Sequence, residues 1–139
     1  MKRVVGLTVF TLALVALIAA CTANSPQFAL VTSDPEIAAA PQRVREAYEF
    51  AVTNPDAVKN VPCYCGCVSM GHKSNYSCYI KDHNPDGTVV FDHHAIGCQI
   101  CIDITQDVMR LTRSQKSATD IRSYIIEKYA ERGPGTGTE

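Results

Sequence analysis

The sequence predicts a mainly α protein: a small helical domain of about three helices around an irregular Cys/His-rich segment, with one short hairpin in that segment. Three observations carry this expectation. Apolar residues recur at helical spacing in three separate stretches of the chain. Every histidine, and every cysteine except Cys21, falls between residues 63 and 101. Within that segment Asn84-Pro85-Asp86-Gly87 is a strong turn signal, flanked by Cys78-Tyr79-Ile80 and Thr88-Val89-Val90-Phe91.

The chain has 139 residues, which is one domain of ordinary size at most. Its first stretch is not part of that domain. Lys2 and Arg3 precede an uncharged apolar run, Val4 to Ala20, which ends Leu17-Ile18-Ala19-Ala20-Cys21. Small residues before a cysteine, after a basic start and an apolar run, read as a secretory signal at 1–20. The pattern also resembles the bacterial lipobox, in which the cysteine is lipidated, here Cys21. A retained transmembrane anchor is the alternative, but the run is at the short edge of what spans a bilayer. Loss of Lys2 and Arg3 takes the formal net charge from −1 to −3. No basic patch or aromatic-interleaved Arg run remains, so nucleic acid is not an expected partner. The expected location is the extracytoplasmic face of the cell membrane, with the lipid as the membrane contact.

Residues 21–40 mix small, polar and proline residues without a period and read as a tether. The folded domain is expected over 41–132. Pro41 suits a first helical position, and Val44, Ala47, Tyr48, Ala51 and Val52 give helix one its stripe. Asn54-Pro55 stops it, with one short turn over Asp56–Asn60. Ile100, Ile104, Val108 and Leu111 mark helix two. Ser117-Ala118-Thr119-Asp120 resembles a capping box, and Ile121, Tyr124, Ile125 and Tyr129 mark helix three. Gly133-Pro134 ends that helix, and residues 133–139 read as a disordered tail. A core of this size is marginal from hydrophobic burial alone, so a metal or disulfides should help to hold it.

The spacing of the thiols decides between those two. Cys63, Cys65 and Cys67 stand at alternate positions. A disulfide between residues two apart closes a strained ring, so a disulfide framework would have to pair each of them with Cys78, Cys98 or Cys101. An exported chain with an even thiol count permits that. A soft metal fits the spacing better. On an extended segment the three sulfurs would share one edge, and Gly66 lets the backbone curl around an ion. His94, Cys98 and Cys101 stand at i, i+4 and i+7, one face of a helix that starts by His94. A helix start near Gly97 would instead favour the thiolate at Cys98 and Cys101. His72, five residues after Cys67, is near enough to join. His83 and His93 are expected to be solvated, and Tyr64, Tyr76 and Tyr79 to cover the site.

Six thiols and up to four imidazoles exceed the four ligands of one structural zinc. The surplus points to several ions bridged by thiolates. Cu(I) is the favoured metal, zinc the alternative, and an iron–sulfur cluster a further option. Cys98-x-x-Cys101 at a helix start also resembles a thiol–disulfide oxidoreductase motif. No C-x-x-C-H, Ser/His/Asp order, phosphate loop or paired-carboxylate arrangement is present, so an enzyme is not expected. The rival of another class is a structural or interaction lipoprotein held by zinc or by three disulfides. The metal reading also implies a partner protein that donates or accepts the metal.

The run Pro62-Cys63-Tyr64-Cys65-Gly66-Cys67 resembles the motif that names a family of bacterial lipoproteins, the PCYCGC-motif proteins. The resemblance extends through Gly71-His72-Lys73-Ser74, Cys78, His94-Ala95-x-Gly97-Cys98-x-x-Cys101 and Ile121-Arg122, most of residues 41–130. It implies lipidation at Cys21 and treats His72, Cys78, His94, Cys98 and Cys101 as one pattern with the hexapeptide. It names no metal.

Overall fold

The computed structural model describes residues 26–139. Seven α-helices and one two-stranded hairpin are found among them, and none of these helices is long and apolar enough to cross a membrane. The signal at 1–20 and Cys21 lie outside the described residues.

Residues 26–40 are not a tether. They form helices α1 (Pro26–Thr32) and α2 (Pro35–Ala39). Asp34 caps α2 by accepting from the N–H groups of Glu36 and Ile37, with Pro35 at its first position. Val31, Ile37 and Ala40 are buried in the core. Each helix buries one side chain within its own span, which is too few to give the sequence a visible period.

Helix α3 (Gln42–Thr53) buries Val44, Ala47, Tyr48 and Ala51 of the expected stripe, with Val52 only partly buried and Pro41 at the cap rather than at the first helical position. The short helix α4 (Pro55–Lys59) follows Asn54 as the Asn-Pro pair requires. The chain then runs irregularly to Gly66 and makes two 3-10 turns, Cys67–Met70 and Tyr76–Cys78. Strands β1 (Ile80–His83) and β2 (Val89–Phe91) pair antiparallel, Ile80 opposite Phe91 and His83 opposite Val89. Their turn is held by Asn84 N–H to Thr88 O (2.8 Å) and by the Asp86 carboxylate accepting from Thr88 N–H (2.9 Å). Gly87 takes the left-handed φ of 84° that this turn needs.

A four-residue helix α5 (His94–Gly97) precedes α6 (Gln99–Arg113), and α7 (Ala118–Tyr129) closes the set. Ser117 caps α7 through Asp120 N–H at 3.1 Å. Helix α6 packs on α3, α4, α5 and α7, and Ile104, Val108, Tyr48 and Ile125 are fully buried between them. Tyr48 meets Tyr79 edge-on at 5.0 Å and Phe91 at 5.9 Å, which ties the hairpin to α3. The core is one cluster, and Cys63, Cys67, Cys78 and Cys101 belong to it as fully as the aliphatic side chains do.

The stretch 133–139 is not a disordered tail. Thr136 accepts from Cys63 N–H through its hydroxyl and donates its own N–H to Cys63 O, both at 2.8 Å. Ser74 and Ser77 donate to the Glu139 carboxylate at 2.8 and 2.9 Å. A side chain at Gly135 would come within 2.8 Å of the Tyr64 ring. The composition is that of a coil, but long-range hydrogen bonds order it. Thr136→Val removes the acceptor of a buried N–H and should cost about 1–3 kcal/mol, read as a lower urea midpoint at unchanged slope.

A second fastening joins α6 to α7. The Asp107 carboxylate accepts from Lys128 (2.6 Å), Tyr129 (2.8 Å) and Arg110 (3.0 Å). Burial pushes the carboxyl up, but these three donors outweigh it and hold it below the usual Asp range. A depressed pKa stabilises the fold above the unfolded value and loses that contribution as pH falls through the folded one. Asp107→Asn should therefore cost about 1–2 kcal/mol at pH 7, with the gap to wild type closing below pH 4 in thermal melts.

Candidate metal centre

The segment around the motif is positioned by its backbone. Asn75 N–H donates to Val61 O at 3.0 Å just before Pro62, and Thr136 clasps Cys63 from the other side. Cys63 and Cys65, two apart on this run, bring their sulfurs to 3.3 Å. Cys67 does not share their edge. Gly66 takes a left-handed φ of 81°, which turns the chain into the 3-10 turn Cys67–Met70. The Cys67 sulfur therefore faces Cys78 instead, at 3.9 Å.

The opposite wall comes from the start of α6. Cys98 breaks the helical run with φ −111° and ψ 98° and caps α6, so His94 and Cys101 belong to different helices. The one-face relation expected of His94, Cys98 and Cys101 is not made by a single helix, yet the break still gathers them. Asp92 accepts from His94 N–H at 2.7 Å and starts α5, and the His94 ring reaches the Cys65 sulfur at 3.5 Å. Cys101, in the first turn of α6, meets Cys63 at 3.5 Å.

All eight expected ligands converge in three overlapping groups. Cys63, Cys65, Cys78 and Cys101 form the inner group; Cys65, His94, Cys98 and Cys101 form the second; Cys67, His72 and Cys78 form the third. Within each group the ligand atoms lie within 4.8 Å of one another. An ion with metal–sulfur bonds of ~2.3 Å sets its tetrahedral ligands about 3.8 Å apart, and the contacts given above run from 3.3 to 3.9 Å. Cys65 and Cys101 each serve two groups, and so does Cys78. The set can therefore hold a metal ion, and the sharing suits thiolates that bridge ions.

His72 places Nδ1 3.5 Å from the Cys78 sulfur and Nε2 3.6 Å from the Asp92 carboxylate, and its ring meets His94 edge-on at 5.3 Å. A carboxylate behind an imidazole fixes its tautomer and strengthens it as a ligand. His83 is exposed as expected. His93 is not simply solvated: it reaches Asp34 at 2.9 Å and Glu36 at 3.5 Å, away from the sulfurs.

The thiols share protons unevenly. Hydrogen bonds from Cys101 and Cys78 bring the Cys63 thiol down to about 2 against the push of burial. Cys78 likewise brings Cys65 down to about 5. The donors are pushed far above the ordinary thiol range, Cys78 by its bonds to Cys101, Cys63, Cys65 and Cys67 and Cys101 by its bond to Cys63. Burial also raises Cys98, so the helix start does not make it the ready thiolate that its position suggests. An ion entering the inner group takes the place of these shared protons.

Residues beyond the eight expected ligands hold the walls together. Tyr79 is fully buried and donates to Cys101 O at 2.9 Å, while Thr105 lies 2.7 Å from its hydroxyl and 2.6 Å from the Asn75 amide. Tyr79, expected only to cover the site, therefore positions Cys101. Tyr64 stacks on Tyr129 at 6.5 Å, and Tyr76 lies under Lys59 at 4.8 Å. Asp92, Asn75 and Thr136 complete the support, and no local signal announces any of them.

Among curated proteins and among solved structures, no match to this chain was found. The family described as "Protein of unknown function with PCYCGC motif" matches residues 32–139, which span all eight expected ligands, helix α2 and the ordered C-terminal stretch. The chain belongs to that PCYCGC-motif family.

Proposed function

We propose that this is an extracytoplasmic, lipid-anchored metal-binding protein that holds Cu(I) in a multi-thiolate site, for capture, storage or handover to a partner protein. One observation carries the reading: six sulfurs and two imidazoles form three groups that share Cys65, Cys78 and Cys101. One ion cannot use eight ligands, and shared thiolates are how soft ions are packed side by side. The third group offers only Cys67, His72 and Cys78. Three ligands complete a site for Cu(I), whereas structural zinc takes four.

Zinc is the second reading, favoured by the two groups that offer four ligands each. It would make the chain a structural or interaction lipoprotein. The oxidoreductase reading is disfavoured by Cys98, whose thiol is raised rather than lowered, since an attacking cysteine needs a low pKa. The lipid anchor rests on the basic start, apolar run and Cys21 of the sequence.

Native mass spectrometry with elemental analysis, on protein made and kept without oxygen, separates these readings. Two or more copper ions per chain are expected, and Cys65→Ser should lower that number, because Cys65 serves two groups. One zinc per chain would favour the structural reading. A metal-free chain lighter by the hydrogens of its paired thiols would sink both. Cys21→Ser, expressed in a bacterium, should move the protein from the membrane fraction to the soluble one while leaving its copper content unchanged.

A further inference from the structure

The three groups differ in their access to solvent. Cys63, Cys67, Cys78 and Cys101 are at most 1 % exposed, whereas Cys65 and Cys98 are only partly buried. These two line an open cleft of about 520 Å³ together with His94, Gly97, Gln99 and Ile100. At the other end of the array a cleft of about 360 Å³ is lined by His72, Asp92 and the exposed Met70, but by no cysteine. Of these two clefts, the one at the Cys65–Cys98 end is the one lined by cysteine thiols.

On the reading that the array holds Cu(I), we propose that ions are exchanged through the Cys65–Cys98 cleft, with Cys65/His94/Cys98/Cys101 as the exchange subsite and the other two groups as retaining subsites. The recognised partner chemistry is a soft donor, a thiol or thioether, small or protruding enough to reach the cleft floor beside Gly97. With a thiol the step balances without redox change. The incoming sulfur bonds the ion, the Cys98–copper bond breaks, and the proton released by the incoming thiol passes to Cys98. His94 then leaves as a neutral imidazole, and the ion departs as its bonds to Cys65 and Cys101 break, both sulfurs staying thiolates on the ion of the inner group. Cys65 and Cys101, common to this group and the inner one, are the thiolates along which an ion steps inward or outward without losing all its sulfur contacts. Cys78 links the inner group to Cys67 and His72 in the same way. The ion at Cys67/His72/Cys78 is then the last to leave.

The test uses the full chain loaded anaerobically with Cu(I), its copper content measured first, then mixed with excess bathocuproine disulfonate while the absorbance of the chelated copper is followed. Release in at least two phases is expected, a fast one of about one ion and slower ones for the rest. Cys98→Ser should lose the fast phase or slow it at least tenfold. Serine is a good N-cap, and far-UV circular dichroism checks that the fold is kept. Cys67→Ser should remove an ion from the slow phases and keep the fast one. A single phase for all ions, a fast phase that survives Cys98→Ser, or one that vanishes in Cys67→Ser would each overturn the exchange route. Absence of copper before the chelator is added would instead sink the Cu(I) reading and the route with it.

Discussion

The structure depends on a directed chain of buried hydrogen bonds. Asn75 donates its amide to Thr105, Tyr79 lies against the Thr105 hydroxyl, and Tyr79 donates to Cys101 O. Tyr79 has one proton and spends it on the carbonyl, so Thr105 must donate to Tyr79 while accepting from Asn75. Only one orientation satisfies every hydroxyl. At its far end the Asn75 backbone donates to Val61 O. The chain thus runs from the residue before the Pro62 motif to the first turn of α6, the two walls of the candidate metal centre. Buried polar chains of this kind are costly when broken and rigid when complete. Here the chain ties the run that leads into Cys63 to the start of α6, where Cys63 and Cys101 bring their sulfurs to 3.5 Å.

Rigidity at that point lets the surrounding backbone be irregular. A helix or a strand would carry sulfurs at one fixed repeat, and neither repeat places six of them around a small volume. Instead the left-handed turn at Gly66 sends Cys67 to a different group from Cys65, and the break at Cys98 gathers His94, Cys98 and Cys101 into one. The regular helices α3, α6 and α7 supply the packing, and the thiols pack at one end of it as small apolar groups. The uneven sharing of protons among Cys63, Cys65, Cys78 and Cys101 follows from the same crowding. Sulfurs held this close cannot all be ionised without cations between them, so protons stand where ions would bridge.

How much of this the sequence reveals depends on where each feature's cause lies. Helices α3, α6 and α7 were legible because each buries a stripe long enough to repeat, and the hairpin because Asn84-Pro85-Asp86-Gly87 fixes its turn locally. That these eight Cys and His side chains gather was legible from their chemistry, spacing and confinement. Helices α1 and α2 were not, because single buried residues such as Val31 and Ile37 leave no period. The stretch 133–139 was not, because its order comes from Cys63, Ser74 and Tyr64, far away in the chain. The direction of Cys67 and the raised thiol of Cys98 were not, because one follows from a backbone angle at Gly66 and the other from burial.

The pattern of sulfur neighbours bears on what the cysteines are for. A disulfide core is made of pairs: each sulfur has one close partner, set at the separation that a bridge demands. Here Cys63 lies near both Cys65 and Cys101, and Cys78 belongs with Cys63, Cys65 and Cys101 on one side and Cys67 and His72 on the other. Closing any one bridge would withdraw a sulfur from a group that needs it, and bridging Cys63 to Cys65 would close the strained two-residue ring. A network with shared members has no best pairing. On the function proposed above, its natural filling is a set of ions each holding several sulfurs, with the shared thiolates between them.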